Sequence, residues 1–443
     1  MTVTDQAIVV DPLEGLSDWL DDQWDPDLTV GQWWDRLGRA GWSAPMLPVD
    51  CYGRGLSRGD ALRAARVIAE FGALGAPVGL GLNLAAPTIA THGTRDQIER
   101  FVPDIVTGRR AWCQLFSEPG AGSDLAGLAT RAERDGEVWV VNGQKVWTSG
   151  GHLADLGMLL ARTNPAVPKH QGITWFVLDM AQSEVEVRPL REMTGSTMFS
   201  EVFFTDATVA DDDRIGDVNE GWTVANTTLL YERAGMGAGG EGGGGRFVRP
   251  GTRGDLDRRA GDCVGSPPPK RPAASDDSRR SPAAGLVELA RSVGKAADPA
   301  VRQGLAQAHI LGELRRFNTE RHKAVRATGG DIAGIANFSK LLMAHILRHN
   351  RDLSLQILGA RGTLHAYDGD QRESLSGLPG GGAAHLLTAQ ALSAQALPIF
   401  GGTDQIQRNI VGERALGLPK EPGDLSRVPF NELPRNGTSR SST

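Results

Sequence analysis

The spacing of apolar residues changes twice along this chain, and that double change restricts the folds open to it. Over residues 14–110 apolar side chains recur at helical intervals: "DALRAARVIAEF" sets Leu62, Ala65, Val67, Ile68 and Phe71 along one face of a predicted helix. From about 113 to 209 the interval shortens toward two. "EVWVVNGQKVW" reads as two alternating runs around Asn142–Gly143, a dipeptide suited to a tight hairpin turn. "GITWFVLDM", "SEVEVRPL" and "SEVFFTDATV" follow as further strands. From 221 onward helical spacing returns in "GWTVANTTLLYERAG", "AAGLVELARSVG", "VRQGLAQAHILGELRRFNTERHKAVRA" and "IANFSKLLMAHILRHNRDLSLQILGA". Helices, then strands, then helices define a segregated α+β fold, unlike the strict alternation of a doubly wound sheet.

Three domains are therefore expected: an N-terminal helical domain at 1–112, a middle antiparallel β domain at 113–220, and a C-terminal helical domain at 221–443. Within the last, residues 246–284 are rich in Arg, Pro, Gly, Ser and Asp and nearly free of large apolar side chains. Such a segment buries too little surface to offset the entropy of ordering it, so a disordered insertion is expected there.

With 443 residues and 40% apolar content, the chain can fill a sizeable core. A net charge of −6 argues against nucleic-acid binding, which needs a basic stripe to meet phosphates. The three cysteines, Cys51, Cys113 and Cys263, are odd in number and far apart, as in a reduced cytoplasmic protein. The N-terminus is acidic where an export signal would be basic, and no apolar run is long enough to span a membrane.

Several motif matches carry little. "GEGGGG" (240–245) follows a predicted helix, whereas the dinucleotide fingerprint needs a strand before it. His345 and His349 stand one helical turn apart but lack a third metal ligand nearby, so no metal site is expected. The informative stretch is 112–151. Ser117-Glu118-Pro119-Gly120-Ala121-Gly122-Ser123-Asp124 can turn several backbone N–H groups toward one point, a nest suited to carbonyl oxygens or phosphate. Trp147-Thr148-Ser149 adds a flat indole and further hydroxyls. Loop donors beside a flat aromatic suit a large planar cofactor with a phosphate tail.

The segments "GWSAPMLPVDCYGRGLS" (41–57), "SEPGAGSDLAGL", "NGQKVWTSGG" and "GGTDQIQRNIVGERALGLPKEP" together resemble the acyl-CoA dehydrogenase family, over nearly the whole chain. The resemblance implies FAD, a helical N-terminal domain, a central β domain, a C-terminal helical bundle and a tetramer. It assigns Gln114, Phe116 and Ser117 to the flavin pyrimidine edge, and Ser123 to the cofactor phosphate. Trp147 falls beside the isoalloxazine and Ser149 near flavin N5. Thr403 and Gln405 match FAD-binding positions of the C-terminal domain. Gln356 and Gly359 match the segment by which a neighbouring subunit holds the adenosine half. Each has a plainer alternative: hydroxyls in glycine-rich loops cap turns, and an indole fills a core.

In this family an acyl-CoA thioester loses an α-proton to a carboxylate while a hydride leaves the β-carbon for the flavin. Many members place that Glu immediately before the Gly-Thr of the C-terminal motif, where this chain has Gly401. Others place it on the helix opening the C-terminal domain, where this chain has "LLYERAG". By resemblance Glu232 is the base, with Arg233 and Gly401 on the substrate side. The plain alternative for Glu232 is a helix-surface acid paired with an arginine. Gly401 leaves room for a branched or bulky acyl chain. The resemblance further implies an electron-transfer flavoprotein as acceptor and a homo- or hetero-tetramer. The Arg-x-x-Phe-Gly segment of many members has only a loose echo in "RRFNTERHKA". A non-catalytic partner subunit of a mixed tetramer is therefore the rival reading.

Overall fold

The computed structural model describes residues 11–237, 248–265, 283–329, 335–378, 381–420, 425 and 427–433. They divide into two compact units: Met1–Pro189, Phe199–Lys270 and Leu425–Thr443 form one, Leu190–Met198 and Arg271–Asp424 the other. The fold is α+β, with helices before and after a central sheet.

The first unit opens on α1 (Leu16–Gln23), α2 (Val30–Arg39), α3 (Arg58–Phe71), α4 (Ala86–His92) and α5 (Arg95–Val106). Two of their starts carry reciprocal caps. Thr29 and Gln32 exchange side-chain bonds with each other's backbone N–H groups at the start of α2, and Thr94 with Gln97 does the same for α5. Trp33 and Trp34 are buried, and their indole N–H groups donate to the Leu74 and Gly75 carbonyls at 2.6 and 2.8 Å. On α3 the buried residues are Ala64 and Ile68, whereas Leu62, Ala65 and Phe71 are exposed. The face expected from the sequence is thus rotated toward a four-residue stripe.

The central sheet holds β1 (Trp112–Leu115), β2 (Arg131–Asp135), β3 (Val138–Ser149), β4 (Leu156–Arg162), β5 (Ile173–Asp179), β6 (Val185–Leu190), β7 (Phe199–Ala210) and β8 (Arg214–Ile215). Their order is β6-β7-β3-β2-β4-β5-β8, with β1 on β4. Most pairs are antiparallel, but β1 and β2 run parallel to β4. The hairpin does not turn at Asn142–Gly143, because β3 runs straight through that dipeptide. The turn is Gly136–Glu137, just after Asp135. Asn142 and Gly143 instead form a bulge against β7, where Asn142 bonds Asp206 in both directions at 2.9 and 3.1 Å. Gly143 has φ +153°, and a Cβ there would stand 2.5 Å from the Thr130 hydroxyl. A residue that permits a turn here permits a close approach.

Helix α6 (Gly221–Gly237) belongs to this unit as well, with Val224, Ala225 and Thr228 buried. Residues 248–265 correct the expected disordered insertion. The Arg258 and Leu256 carbonyls accept from the Val30 and Gly31 amides at 2.8 and 2.9 Å, satisfying orphan donors at the start of α2. Val248, Ala260 and Cys263 are buried with Trp33, Trp34 and Leu37. Gly251 donates to the Gly108 carbonyl, Thr252 bonds Asp155, and Arg253 donates to the His152 carbonyl. Composition misled because backbone groups, more than large side chains, hold this segment down. Of the rest of the expected insertion, residues 246–247 and 266–282 lie outside the described residues, as does the "GEGGGG" run.

The second unit contains α7 (Ala284–Ser292), α8 (Pro299–Ala327), α9 (Ile335–Leu358), α10 (Gly369–Ser376), α11 (Gly381–Ser393) and α12 (Asp404–Ile410). Ala290, Val301, Ala308, Leu353 and Ile357 form its core. Cys51, Cys113 and Cys263 are buried and form no disulfide. Among the described residues no helix is long and apolar enough to cross a membrane.

Because Ala260 is fully buried, Ala260→Asp places a carboxylate among apolar groups and should lower the melting temperature by several degrees. Asp257→Ala, at an exposed position of the same segment, should change it little. Scanning calorimetry checks this; an unchanged midpoint for Ala260→Asp would mean that the segment does not pack.

Candidate active site

The loop after β1 is fixed by buried charge. Lys145 points inward from β3 with a fully buried side chain, and its ammonium donates to Glu118 Oε1 at 2.8 Å and to the Phe116 carbonyl at 3.0 Å. The Glu118 carboxylate also accepts from the Ala129 and Thr130 amides at 2.7 and 2.9 Å. One ion pair thus joins the start of the loop, its end, and the neighbouring strand. Burial pushes the Glu118 carboxyl up, but the Lys145 charge and the hydrogen bonds from Lys145, Thr130 and Ala129 outweigh burial and hold it below its ordinary value of 4.5. Between the fixed ends, Pro119, Gly120, Gly122, Ser123 and Asp124 are exposed, and nothing stands within 4 Å of a Cβ built at Gly120 or Gly122. Lys169 reaches back to Asp124 at 2.8 Å.

Trp147 is held out from the sheet. The register of β3 against β7 shifts between Lys145 and Thr148, and Trp147 has φ +60°, a costly conformation for a bulky residue. The result is an indole 61% exposed, touching Phe199 edge-on at 5.8 Å between ring centroids. Trp147 is therefore no core residue. Ser149 is exposed two residues on, while Thr148 is buried, its hydroxyl without a hydrogen-bond partner. The Val146 amide donates to the Ser117 carbonyl at 2.9 Å, so the end of β3 runs beside residues 116–118. Gln114 and Ser117 are half-buried, and Phe116 is buried.

Glu232 is half-buried and lies on the packed face of α6, one turn beyond the buried Thr228. Thr228 meets Thr88 of α4 hydroxyl to hydroxyl at 3.0 Å, and Thr227 meets His92 at 2.7 Å. Gln114 on β1 donates its side-chain amide to Glu232 Oε2 at 3.3 Å. The acid thus reaches Gln114, one of the residues assigned to the flavin edge. Arg233's side chain lies outside the described residues.

In the second unit, Gly401 and Gly402 have φ +65° and +85° and lead into Thr403, whose hydroxyl accepts from the Ile406 amide at 3.2 Å to cap α12. Two buried side chains fix this turn. Gln407 donates to the Gly401 carbonyl at 3.1 Å, and Asp404, 3% exposed, pairs with Lys340 at 3.4 Å and Arg348 at 3.1 Å. Gln405 is exposed, as are Gln356 and Gly359. The Gln356 carbonyl accepts from Lys295 at 2.9 Å. The site residues thus fall into two sets: Gln114, Phe116, Ser117, Ser123, Trp147, Ser149 and Glu232 in one unit, Gln356, Gly359, Gly401, Thr403 and Gln405 in the other.

The sequence did not point to Glu118, Lys145, Asp404 or Gln407 as the supports of these turns. Lys145 had a readable signal: a cation among the inward-pointing residues of an alternating strand needs a buried partner.

Comparison with known proteins bears on this arrangement. Residues 16–109, 113–207 and 287–416 match the family descriptions Acyl-CoA dehydrogenase, N-terminal, middle and C-terminal domain. The chain is 36% identical over 385 residues to acyl-CoA dehydrogenase FadE34 of Mycobacterium tuberculosis, covering 87% of this chain and 46% of that protein. It thus spans about half the length of that relative. With acyl-CoA dehydrogenase IpdE1 of the same organism it shares 35% identity over 393 residues, 88% of each chain. Among solved structures, the Tcur3481-Tcur3483 steroid ACAD matches at a TM-score of 0.66 and 24% identity, over 92% of this chain and 95% of that one. At that identity the likeness speaks to the fold.

The ion pair sets a pH dependence. With the folded Glu118 value below 4.5, its contribution to stability is complete above 4.5 and is lost as pH falls through the folded value. Glu118→Gln should cost about 3–5 kcal/mol of unfolding free energy at neutral pH. The gap from wild type should close in acid, as measured by urea unfolding over a pH series. A gap that stays constant with pH would contradict the assignment.

Proposed function

The chain belongs to the acyl-CoA dehydrogenase family, a family of flavoprotein oxidoreductases of lipid metabolism, and from that premise we propose that it removes the α-proton and β-hydride of an acyl-CoA thioester to give the 2-enoyl-CoA. The observation that carries this reading is the placement of Glu232 on the packed face of α6, hydrogen-bonded to Gln114 of β1.

The residues present fit FAD. The open face of Trp147, the exposed Ser149 and the open space at Gly120 and Gly122 offer a flat surface beside a loop of donors. Phe116 and Ser117 are fixed from behind by Lys145 and the Val146 amide, so an edge resting on them meets a preset backbone. When bound, FAD accepts the hydride that leaves the β-carbon. Glu232 takes the α-proton, and Gln114 orients its carboxylate. Gly401, with no side chain where many relatives carry the base, leaves space that suits a branched or bulky acyl chain. By resemblance Ser123 meets the cofactor phosphate, Thr403 and Gln405 are FAD-binding positions of the C-terminal domain, Gln356 and Gly359 serve the adenosine half of a neighbouring subunit's cofactor, and Arg233 stands on the substrate side. The enzyme is proposed to work as a cytoplasmic homo- or hetero-tetramer that passes electrons to an electron-transfer flavoprotein.

A second reading, a non-catalytic partner subunit, draws on Arg316. In the segment where many relatives have an arginine for the neighbour's FAD phosphates, Arg316 is engaged by Glu313 and Glu320 of its own helix at 2.8 Å each.

Glu232→Gln keeps size and hydrogen-bonding shape while removing the proton acceptor. Anaerobic bleaching of bound FAD by straight and branched acyl-CoAs should slow by about 10²–10⁴-fold, with FAD content unchanged. Bleaching at the wild-type rate would move the base elsewhere. Full flavin content with no bleaching in wild type would favour the partner subunit.

Because its indole is exposed, Trp147→Ala should alter folding stability by only about 0.5 kcal/mol. It should nonetheless weaken FAD binding and shift the flavin spectrum. An unchanged spectrum and affinity would remove Trp147 from the flavin wall.

A further inference from the structure

Arg162, the last residue of β4, is a buried cation that neither the sequence motifs nor the proposed chemistry uses. It is 4% exposed and has no ion-pair partner among the described residues. Its guanidinium donates instead to three carbonyls: Ala126 at 2.6 Å, Leu128 at 3.1 Å and Lys169 at 2.7 Å. Its Nε is buried without a hydrogen-bond partner. Ala126 and Leu128 close the loop that begins at Ser117, and Lys169 carries the ammonium that clamps Asp124 within it. Arg162 therefore fixes the far end of that loop as Lys145 fixes the near end.

The face of this guanidinium is covered from a distant part of the chain. The Phe430 ring lies 3.9 Å from Arg162 Cζ, measured to the ring centroid. Phe430 is held there by backbone bonds to the same turn: the Phe430 amide donates to the Val167 carbonyl at 2.9 Å and the Asn431 amide to the Pro165 carbonyl at 3.0 Å. Pro429 forms an antiparallel bridge with Pro168. All of these residues lie in the first unit.

We propose that the C-terminal segment Val428–Leu433 is a positioning element for the cofactor loop, acting through the Phe430 ring on Arg162. The physical argument is desolvation. A guanidinium shielded from water on its face must find its partners among nearby carbonyls, and those of Ala126, Leu128 and Lys169 are what it finds. Uncovered, it exchanges some of these bonds for water, and the end of the loop loosens. In the middle of the loop only Ala121 packs into the core, since residues 119, 120 and 122–124 are exposed, so little there can replace that hold. Phe430 touches no reacting group; its effect reaches the site through Arg162. This inference rests on the reading of loop 117–124 as part of the FAD site.

The test compares Phe430→Ala, Phe430→Leu and Phe430→Tyr in the full chain, with two readouts: FAD dissociation constant by fluorescence, and hydrogen exchange of the Ala126–Arg131 amides in flavin-free protein. Tyr retains the aromatic face and should match wild type in both. Ala should weaken FAD by about 5–30-fold and speed exchange in that window, and Leu, which keeps apolar volume without the π face, should show most of both effects. Should Phe430→Ala fail to fold, the Leu and Tyr pair decides alone. Unchanged FAD affinity and exchange in Leu, even with a lower melting temperature, would overturn the proposal and leave Phe430 a packing residue. If wild type binds no FAD while exchange in the window still responds to Leu, the flavin reading fails and the hold of the C-terminal segment on the loop stands.

Discussion

The Glu118–Lys145 ion pair is the constraint on which the candidate cofactor face depends. Breaking such a pair leaves an uncompensated charge out of water, so the loop and the strand are bound to one arrangement. Through the Ala129 and Thr130 amides the same carboxylate fixes where the loop ends and β2 begins. Through the Phe116 carbonyl the ammonium fixes where β1 ends. Around the buried Ala121, the exposed part of the loop, two glycines and two polar side chains among it, can then present its donors.

Strain accompanies this rigidity. Immediately after Lys145 the strand bulges and Trp147 takes a left-handed backbone conformation that turns a large apolar side chain toward solvent. Nothing in folding rewards an exposed indole, whereas a planar ligand would cover it. The second unit shows a related economy. Gly401 and Gly402 carry no side chains, and Asp404 and Gln407 hold their turn from behind. In the first unit, the base we propose is Glu232, on a helix whose packed face leads it to Gln114.

Much of this was legible in the sequence, because the order of periods and the long motifs are local signals. Helix–strand–helix order, strands β5 to β7 and the hydroxyls and indole of 117–149 all follow from short windows. Errors arose where tertiary context decided. Asn142–Gly143 has the chemistry of a turn, but the close approach of Thr130 makes it a bulge, and the turn passes to Gly136–Glu137. Residues 248–265 look too polar to fold, yet their carbonyls satisfy the amides at the start of α2, a partner more than 200 residues away that no local window contains. Arg162 and Phe430 meet across a similar gap.

We propose that this chain, by itself, builds a flavin site with its own base. The most direct measurement is the visible spectrum of the chain purified alone, with flavin counted per polypeptide. A chain with its own flavin site should show a flavin spectrum at close to one FAD per chain. A colourless protein that stays colourless when FAD is added would contradict it and would leave the fold serving a partner subunit.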